Sequence, residues 1–336
     1  MPILDNEIVW RPAALMSDVT PAQNGGRMVF SQLVSGVKNN LFPDVSQSER
    51  LAGAVKWRKA FIHINSAQDT ALLNVRLFLD SLTPAGDFVV FQPGTQTDTE
   101  DQIGGRPYGI GTLYAPIVGG APQIQVACEH NTEYATLQPL RVGDVVRVSD
   151  RPSTGGAGNE EWVSVTGIVY GADFATVDVS PALVNNYATS NTLVSSVLEL
   201  PSAVAGVTEV SVTSGGGSFD SATVGYLVAH NKGAVEENWT LTFTSATTFT
   251  VSGNMVGTLA SPGSVSADYA PLNPSTGTPY FTIKAIAWAG TFQMNDTVTF
   301  ATQPAAIPIW YRRQVPAGTF SLANDFTSLA IHGESA

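Results

Sequence analysis

Cysteine occurs once in this chain, at Cys128, so neither an intrachain disulfide framework nor a multi-cysteine zinc site can form. Charge is scarce as well: 13% of residues are Asp, Glu, Lys or Arg, where roughly 25% is usual for a globular protein. No apolar run is long enough to span a bilayer, and apolar residues show little helical spacing. The opening MPILDNEIVW has neither the basic nor the apolar stretch of a secretory leader, so the chain is expected to be soluble and not exported by that route. On that expectation the triplets Asn238-Trp239-Thr240 and Asn295-Asp296-Thr297 are chance matches to the glycosylation pattern. A formal net charge of −12 argues against a nucleic-acid partner, because binding to phosphate depends on clustered Lys and Arg.

What is present favours several compact β units. The 336 residues suffice for two or three domains, and 43% hydrophobic residues give each a core, with Gly 31 and Pro 20 supplying turns. A surface of Thr, Ser, Asn and Gln with few charges suits contact with other subunits, since charged groups are depleted at interface cores.

Period-two alternation locates the strands. Ala60, Ile62 and Ile64 share one face of a strand over Lys56 to Ile64, and Leu73, Val75, Leu77 and Leu79 share one face of a second; the two are expected to pair after the polar loop Asp44 to Arg50. Phe88 to Phe91 is expected to join them. Further on, Val145 to Val148, Trp162 to Tyr170 and Thr176 to Val179 suggest a small barrel. Trp239, Leu241 and Phe243 alternate with threonines, and Phe249 and Val251 resume the pattern after a turn, which reads as a hairpin. Ile283 to Trp288 and Thr297 to Phe300 read as additional strands. In the last segment Ile309 and Tyr311 fall on one face and Trp310 and Arg312 on the other.

The expected fold class is therefore mainly β, with several β-sandwich and small-barrel domains, extended arms and little helix. The expected division is an N-terminal arm over 1–40, a β-sandwich base domain over 41–92 plus 305–336, an extended arm or loop over 93–135, a small β-barrel over 136–200, and a β-sandwich over 201–304. The two middle units would thus be an insertion between halves of the base domain.

The block NNLFPDVSQSERLAGAVKWRKAFIHINSAQDTALLNVRLFLD from Asn39 to Asp80, with NGGR at Asn24 to Arg27, resembles virion structural proteins of tailed bacteriophages and prophages. The resemblance returns in GTQTDTEDQ from Gly94, PYGIGTL from Pro107, VGDVVRVSD from Val142, WTLTFTSATTFTVSG from Trp239 and IPIWYRRQVPAGT from Ile307. It implies a tail or baseplate component of a virion assembled in the host bacterial cytoplasm, with copies of itself and other virion proteins as partners and no membrane partner. Neck or capsid decoration is one alternative; a carbohydrate-binding receptor-recognition module, with a glycan contact, is another. The resemblance brings no functional residues and no cofactor.

Chemistry is thinly represented. Cys128 and His130 lie two apart and would face the same way on a strand, a minimal nucleophile–base arrangement without an orienting third group. A lone Cys is more often a small buried hydrophobe. His63, His230 and His332 are scattered without metal-ligand spacing and read as surface or edge residues. Asp98, Glu100 and Asp101 form the densest acidic group, read as a solvated loop rather than a cation site. Gly104-Gly105, Gly155-Gly156 and Gly215-Gly216-Gly217 lack the features of a phosphate loop and read as turns. Trp162, Trp239, Trp288 and Trp310 sit in apolar strand patterns and are expected in the core rather than stacked on sugars. Lys56, Arg58 and Lys59, with Arg312 and Arg313, are expected at solvated strand edges. No catalytic, cofactor-binding or metal residue is assigned, and the chain is not expected to be an enzyme.

Overall fold

The computed structural model describes residues 2–127, 135–152 and 156–336. It is mainly β. The first stretch supplies β1 (Ile8–Leu15), β2 (Gly25–Met28), the short helix α1 (Gln47–Ala52), β3 (Ala54–Ile64), β4 (Leu72–Leu79) and β5 (Phe88–Pro93). Next come β6 (Ile110–Leu113), β7 (Gln123–Ala127), β8 (Val145–Ser149), β9 (Glu160–Tyr170), β10 (Ala175–Ser180) and β11 (Leu193–Ala203). A third stretch gives β12 (Gly206–Thr213), β13 (Gly217–Phe219), β14 (Leu227–Ala229), β15 (Glu237–Phe243), β16 (Thr248–Gly253) and β17 (Gly257–Thr258). It continues with β18 (Gly263–Ser264), β19 (Leu272–Asn273), β20 (Thr278–Pro279), β21 (Phe281–Ile283), β22 (Trp288–Gly290) and β23 (Thr297–Gln303). The chain closes with β24 (Ala306–Val315) and β25 (Leu329–Ser335).

The first sheet has five strands in the order β2-β1-β3-β24-β5. Ile309 of β24 lies opposite Ala60 on one side and Pro93 on the other, so β24 separates β3 from β5. Ala60, Ile62, Ile64, Ile307 and Ile309 pack as one core with Val75, Leu77 and Leu79 of β4. That packing corrects the expected pairing of β3 with β4. Both strands show the same alternation because their apolar faces meet across a sandwich, and β4 pairs instead with β11 and β25. Alternation reports which face is buried and is blind to the hydrogen-bonding neighbour.

Two expected arms are strands of the fold. Residues 1–40 contribute β1, paired with β3 along Ile8 to Pro12, and β2, paired with β1. Pro12 is accommodated opposite Ala60, and its carbonyl accepts from the Val29 amide at 3.1 Å. Within 93–127, β6 and β7 are staves of a barrel, in which β11, β6, β7, β10, β9 and β8 follow one another and β8 pairs back onto β11. The barrel therefore starts before residue 136. Val126, Val146, Val148, Val163, Val165, Val177 and Val194 fill it, joined by Phe88 and Val90 from β5. β11 belongs to two structures: Leu193 to Val197 pairs with β8, and Leu198 to Ala203 pairs with β4.

The third unit is built on the sheet β12-β23-β15-β16-β17, with β18 beside β16. The hairpin read from the sequence is present, with Leu241 opposite Val251 and Phe243 opposite Phe249. Trp239, Leu241, Phe243, Phe249, Phe281 and Phe300 form its core. Ile283 to Trp288 is not one strand: β21 ends at Ile283, and a 3-10 turn over Ala285–Ala287 precedes β22.

The basic residues are not at solvated edges. β3 and β24 are interior strands of the first sheet, and Arg58, Lys59 and Arg313 are buried. Trp239 and Trp310 are fully buried, while Trp162 and Trp288 are only partly so.

Candidate functional site

The sandwich core opens into a cleft of about 1060 Å³. Its floor is the core-facing side of the first sheet where the opposing sheet no longer covers it: Ala60 of β3, Tyr311 and Arg313 of β24, Val89 of β5, and Asp87 just before β5. Arg313 pairs in register with Val89, so Asp87 stands diagonally across from Arg313 on the same face. Both are buried, at 9% and 1% exposure.

Two loop segments wall the cleft. Residues 33–45 bring Phe42, whose ring lies 4.8 Å from the Arg313 guanidinium, and Pro43, whose carbonyl accepts from Arg313 Nη1 at 2.9 Å. Residues 319–329 form the other wall, tied down where Thr327 Oγ1 donates to the Ser81 carbonyl at 2.7 Å and Asp325 Oδ1 accepts from the Ala85 amide at 3.2 Å.

The electrostatics of the floor are unbalanced. Burial, and then the negative charge of Asp325, push the Asp87 carboxyl from 3.8 to about 7. Burial lowers the Arg313 guanidinium from its ordinary value, against the opposing pull of Asp87. The Asp87 carboxyl is hydrogen-bonded by the Asp325 and Thr83 side chains, whereas Nε and Nη2 of Arg313 are buried without a hydrogen-bond partner. Such groups cost about 1–3 kcal/mol each unless something pairs with them.

The sequence candidates fall elsewhere. Cys128 and His130 lie outside the described residues. Asp98 is not in a solvated loop: it is 6% exposed, with Oδ1 at 2.6 Å from Lys59 Nζ and Oδ2 accepting from Trp310 Nε1 at 2.8 Å. Lys59 Nζ also donates to the Gly26 and Asp98 carbonyls at 2.7 and 3.0 Å, so its three protons all have acceptors. Glu100 accepts from Asn24 Nδ2 at 2.7 Å and Asp101 from Thr99 Oγ1 at 2.5 Å, so the three carboxylates do not converge. Among the described residues no three His, Cys, Asp or Glu side chains are grouped to hold a metal ion, and no helix is long and apolar enough to cross a membrane.

His63 is likewise not a surface residue. It is fully buried, accepting at Nδ1 from Arg11 Nε at 2.8 Å and meeting the Asn231 carbonyl of the third unit through Nε2 at 2.7 Å. That carbonyl can only accept, so Nε2 carries the proton and the ring is neutral. Burial, reinforced by the Arg11 charge, lowers its pKa from 6.5 to about 4. Beside it His230 Nδ1 meets Asp69 Oδ2 at 2.7 Å, and the Asn231 amide donates to Asp69 Oδ1 at 2.8 Å. Polar bonds thus seat the third unit on the sandwich, while His332 is exposed on β25.

Asp87 and Arg313 were not legible as a pair. They are 226 positions apart in the chain, and only the insertion of β24 beside β5 brings them to one face. Comparison of the chain with protein-family models, with curated protein sequences and with solved structures finds no match.

Proposed function

We propose that this chain is a structural subunit of a tailed-phage virion, a tail or baseplate component that acts through contacts with copies of itself and other virion proteins. The observation that carries the reading is the tip between β1 and β2. Leu15, Met16 and Val19 are 38%, 66% and 89% exposed, yet the tip is held in place from behind. Asp18 bonds Arg58 and lies 2.9 Å from Lys56 Nζ, and the Val19 and Thr20 amides both donate to Ser17 Oγ. Burial works against the Asp18 carboxylate, but its hydrogen bonds from Lys56 and Arg58 prevail and keep it below the usual range.

An apolar tip pre-organised by an ion pair loses little freedom when a partner covers it, and each large side chain so covered contributes about 1.5–3 kcal/mol. The low content of charge and the exposed Phe320 and Phe326 on the cleft wall agree with extensive subunit contact. In this reading the chain works within the assembled particle and performs no chemical step. Neck or capsid decoration would use the same contacts.

The test is the Met16→Asp, Val19→Asp double variant in gradient-purified particles. The substituted chain is expected to melt as the unsubstituted one does and to be missing from the virions. Normal incorporation with normal infectivity would refute the assembly role of this tip.

A further inference from the structure

We propose that Asp69, His230 and Thr282 form an acyl-transfer site, in which the Thr282 hydroxyl attacks an activated ester of a short carboxylic acid. The three side chains meet where the loop between β3 and β4 touches the third unit. His230 Nδ1 lies 2.7 Å from Asp69 Oδ2, and across the ring Nε2 lies 2.7 Å from Thr282 Oγ1. Carboxylate, imidazole and hydroxyl thus stand in line, the arrangement in which a general base activates a nucleophile and a third group orients the base. A carboxylate can only accept, so in the neutral ring it holds the proton on Nδ1. The lone pair of Nε2 is left for the Thr282 proton.

The group is fixed from behind and open in front. Asp69 Oδ1 accepts from the Asn231 amide at 2.8 Å, and the His230 carbonyl accepts from the Gly233 and Ala234 amides at 3.0 and 2.8 Å. Thr282 stands on β21 between Phe281 and Ile283, both fully buried, so its hydroxyl projects from the opposite face. The side chains of His230 and Asp69 are 22% and 30% exposed, and Thr282 is partly exposed as well. Val228 lies directly opposite Thr282, and Tyr226 precedes it on the same face. Both are half-buried, which gives a short acyl chain apolar surface beside the hydroxyl.

The reaction needs no co-reactant besides water. Oγ1 bonds the acyl carbon while its proton passes to Nε2; the ester C–O bond then breaks and the leaving oxygen takes that proton. Water repeats the sequence on the acyl-threonine and frees the acid. An aryl ester suits this site because its leaving oxygen is a weak base and asks little of the general acid.

This activity is additional to the assembly role, which rests on the tip at Met16 and Val19 and uses no chemistry, so either proposal can fail alone. The experiment follows nitrophenol release from p-nitrophenyl acetate by the full chain and maps the acetyl group by mass spectrometry after an acid quench. Release above the buffer rate is expected to rise with pH to a plateau as His230 becomes neutral, with acetyl on Thr282. Thr282→Val and His230→Gln should each slow it about a hundredfold or more, while Thr282→Ser should retain it. Asp69 positions the ring without touching the ester, so Asp69→Asn should lower kcat and leave KM unchanged. Equal release by Thr282→Val and the unsubstituted chain would overturn the proposal. So would the absence of acetyl from Thr282 in the quenched unsubstituted chain, a result that does not depend on how any variant folds.

Discussion

The indole of Trp310 and the carboxylate of Asp98, separated by 212 positions in the chain, meet at 2.8 Å inside the protein. Lys59 completes the group at 2.6 Å from the same carboxylate. The indole is flanked by two glycines: a Cβ on Gly25 would lie 2.6 Å from Trp310 Cη2, and one on Gly94 2.8 Å from Cδ1. Gly25 also has a φ of +108°, which side chains rarely adopt. The loop after β5 and the start of β2 are thereby fixed to β24 around one buried ion pair.

Removing one partner of that pair leaves the other charged and unmatched. Asp98→Ala is expected to destabilise the protein by about 3–5 kcal/mol, measured by urea unfolding, while Lys59→Met with Asp98→Leu should recover most of the loss. A double variant no more stable than Asp98→Ala would show that the pair does not act as a unit.

Stability should depend on pH through His63 in a predictable direction. The unfolded chain takes up a proton near 6.5 that the folded chain refuses until about 4, so stability falls as pH drops through that window. The full change corresponds to ~3 kcal/mol. His63→Gln is expected to remove this one contribution to the unfolding midpoints between those pH values.

Asp87 should act in the opposite sense. Its folded-state pKa, raised from 3.8 to about 7, gives stability that is fully present below the lower value and lost as pH rises through the upper one, a change of ~4 kcal/mol at most. The two groups titrate over overlapping ranges and largely offset each other, so the unsubstituted chain should show a nearly flat profile from these sites. Asp87→Asn should expose a profile rising with pH, and His63→Gln a falling one. Identical profiles for the two variants would contradict both assignments.

Removing residues 307–336 takes β24 from between β3 and β5 and β25 from beside β4. Hydrogen exchange at the amides of Trp57 to Ile64 is expected to accelerate to unfolded rates in that truncation. Deleting Pro107 to Leu113 removes β6 and should open the barrel, detected as loss of protection in β7 and in the first half of β11.

The sequence made the class of fold legible and left much of the connectivity hidden. The β15–β16 hairpin could be read because both strands and their turn are adjacent and its threonines mark the outer face. β6 escaped because it is short and set among Gly, Pro and Thr, which carry no periodicity, and β7 because its alternation of Ile124 and Val126 spans only five residues. Lys59 and His63 were placed outside because an ionisable residue in a strand normally is, and Asp98 because its polar segment reads as a solvated loop. Their partners come from distant segments, so local pattern holds no trace of the compensation. The same distance concealed Asp87 and Arg313, whose meeting depends on the register of β24 against β5.

Because the barrel and the sandwich share β11, the two cannot hinge about a linker. A pull on the barrel along that strand would be carried into the sandwich by the β11–β4 hydrogen bonds from Leu198 to Ala203, which would be strained together in shear rather than opened one at a time. The third unit, entered and left through the neighbouring ends of β11 and β24, lies off that path and could be displaced without breaking it. In this architecture a load along β11 and a displacement of the third unit would engage different parts of one chain.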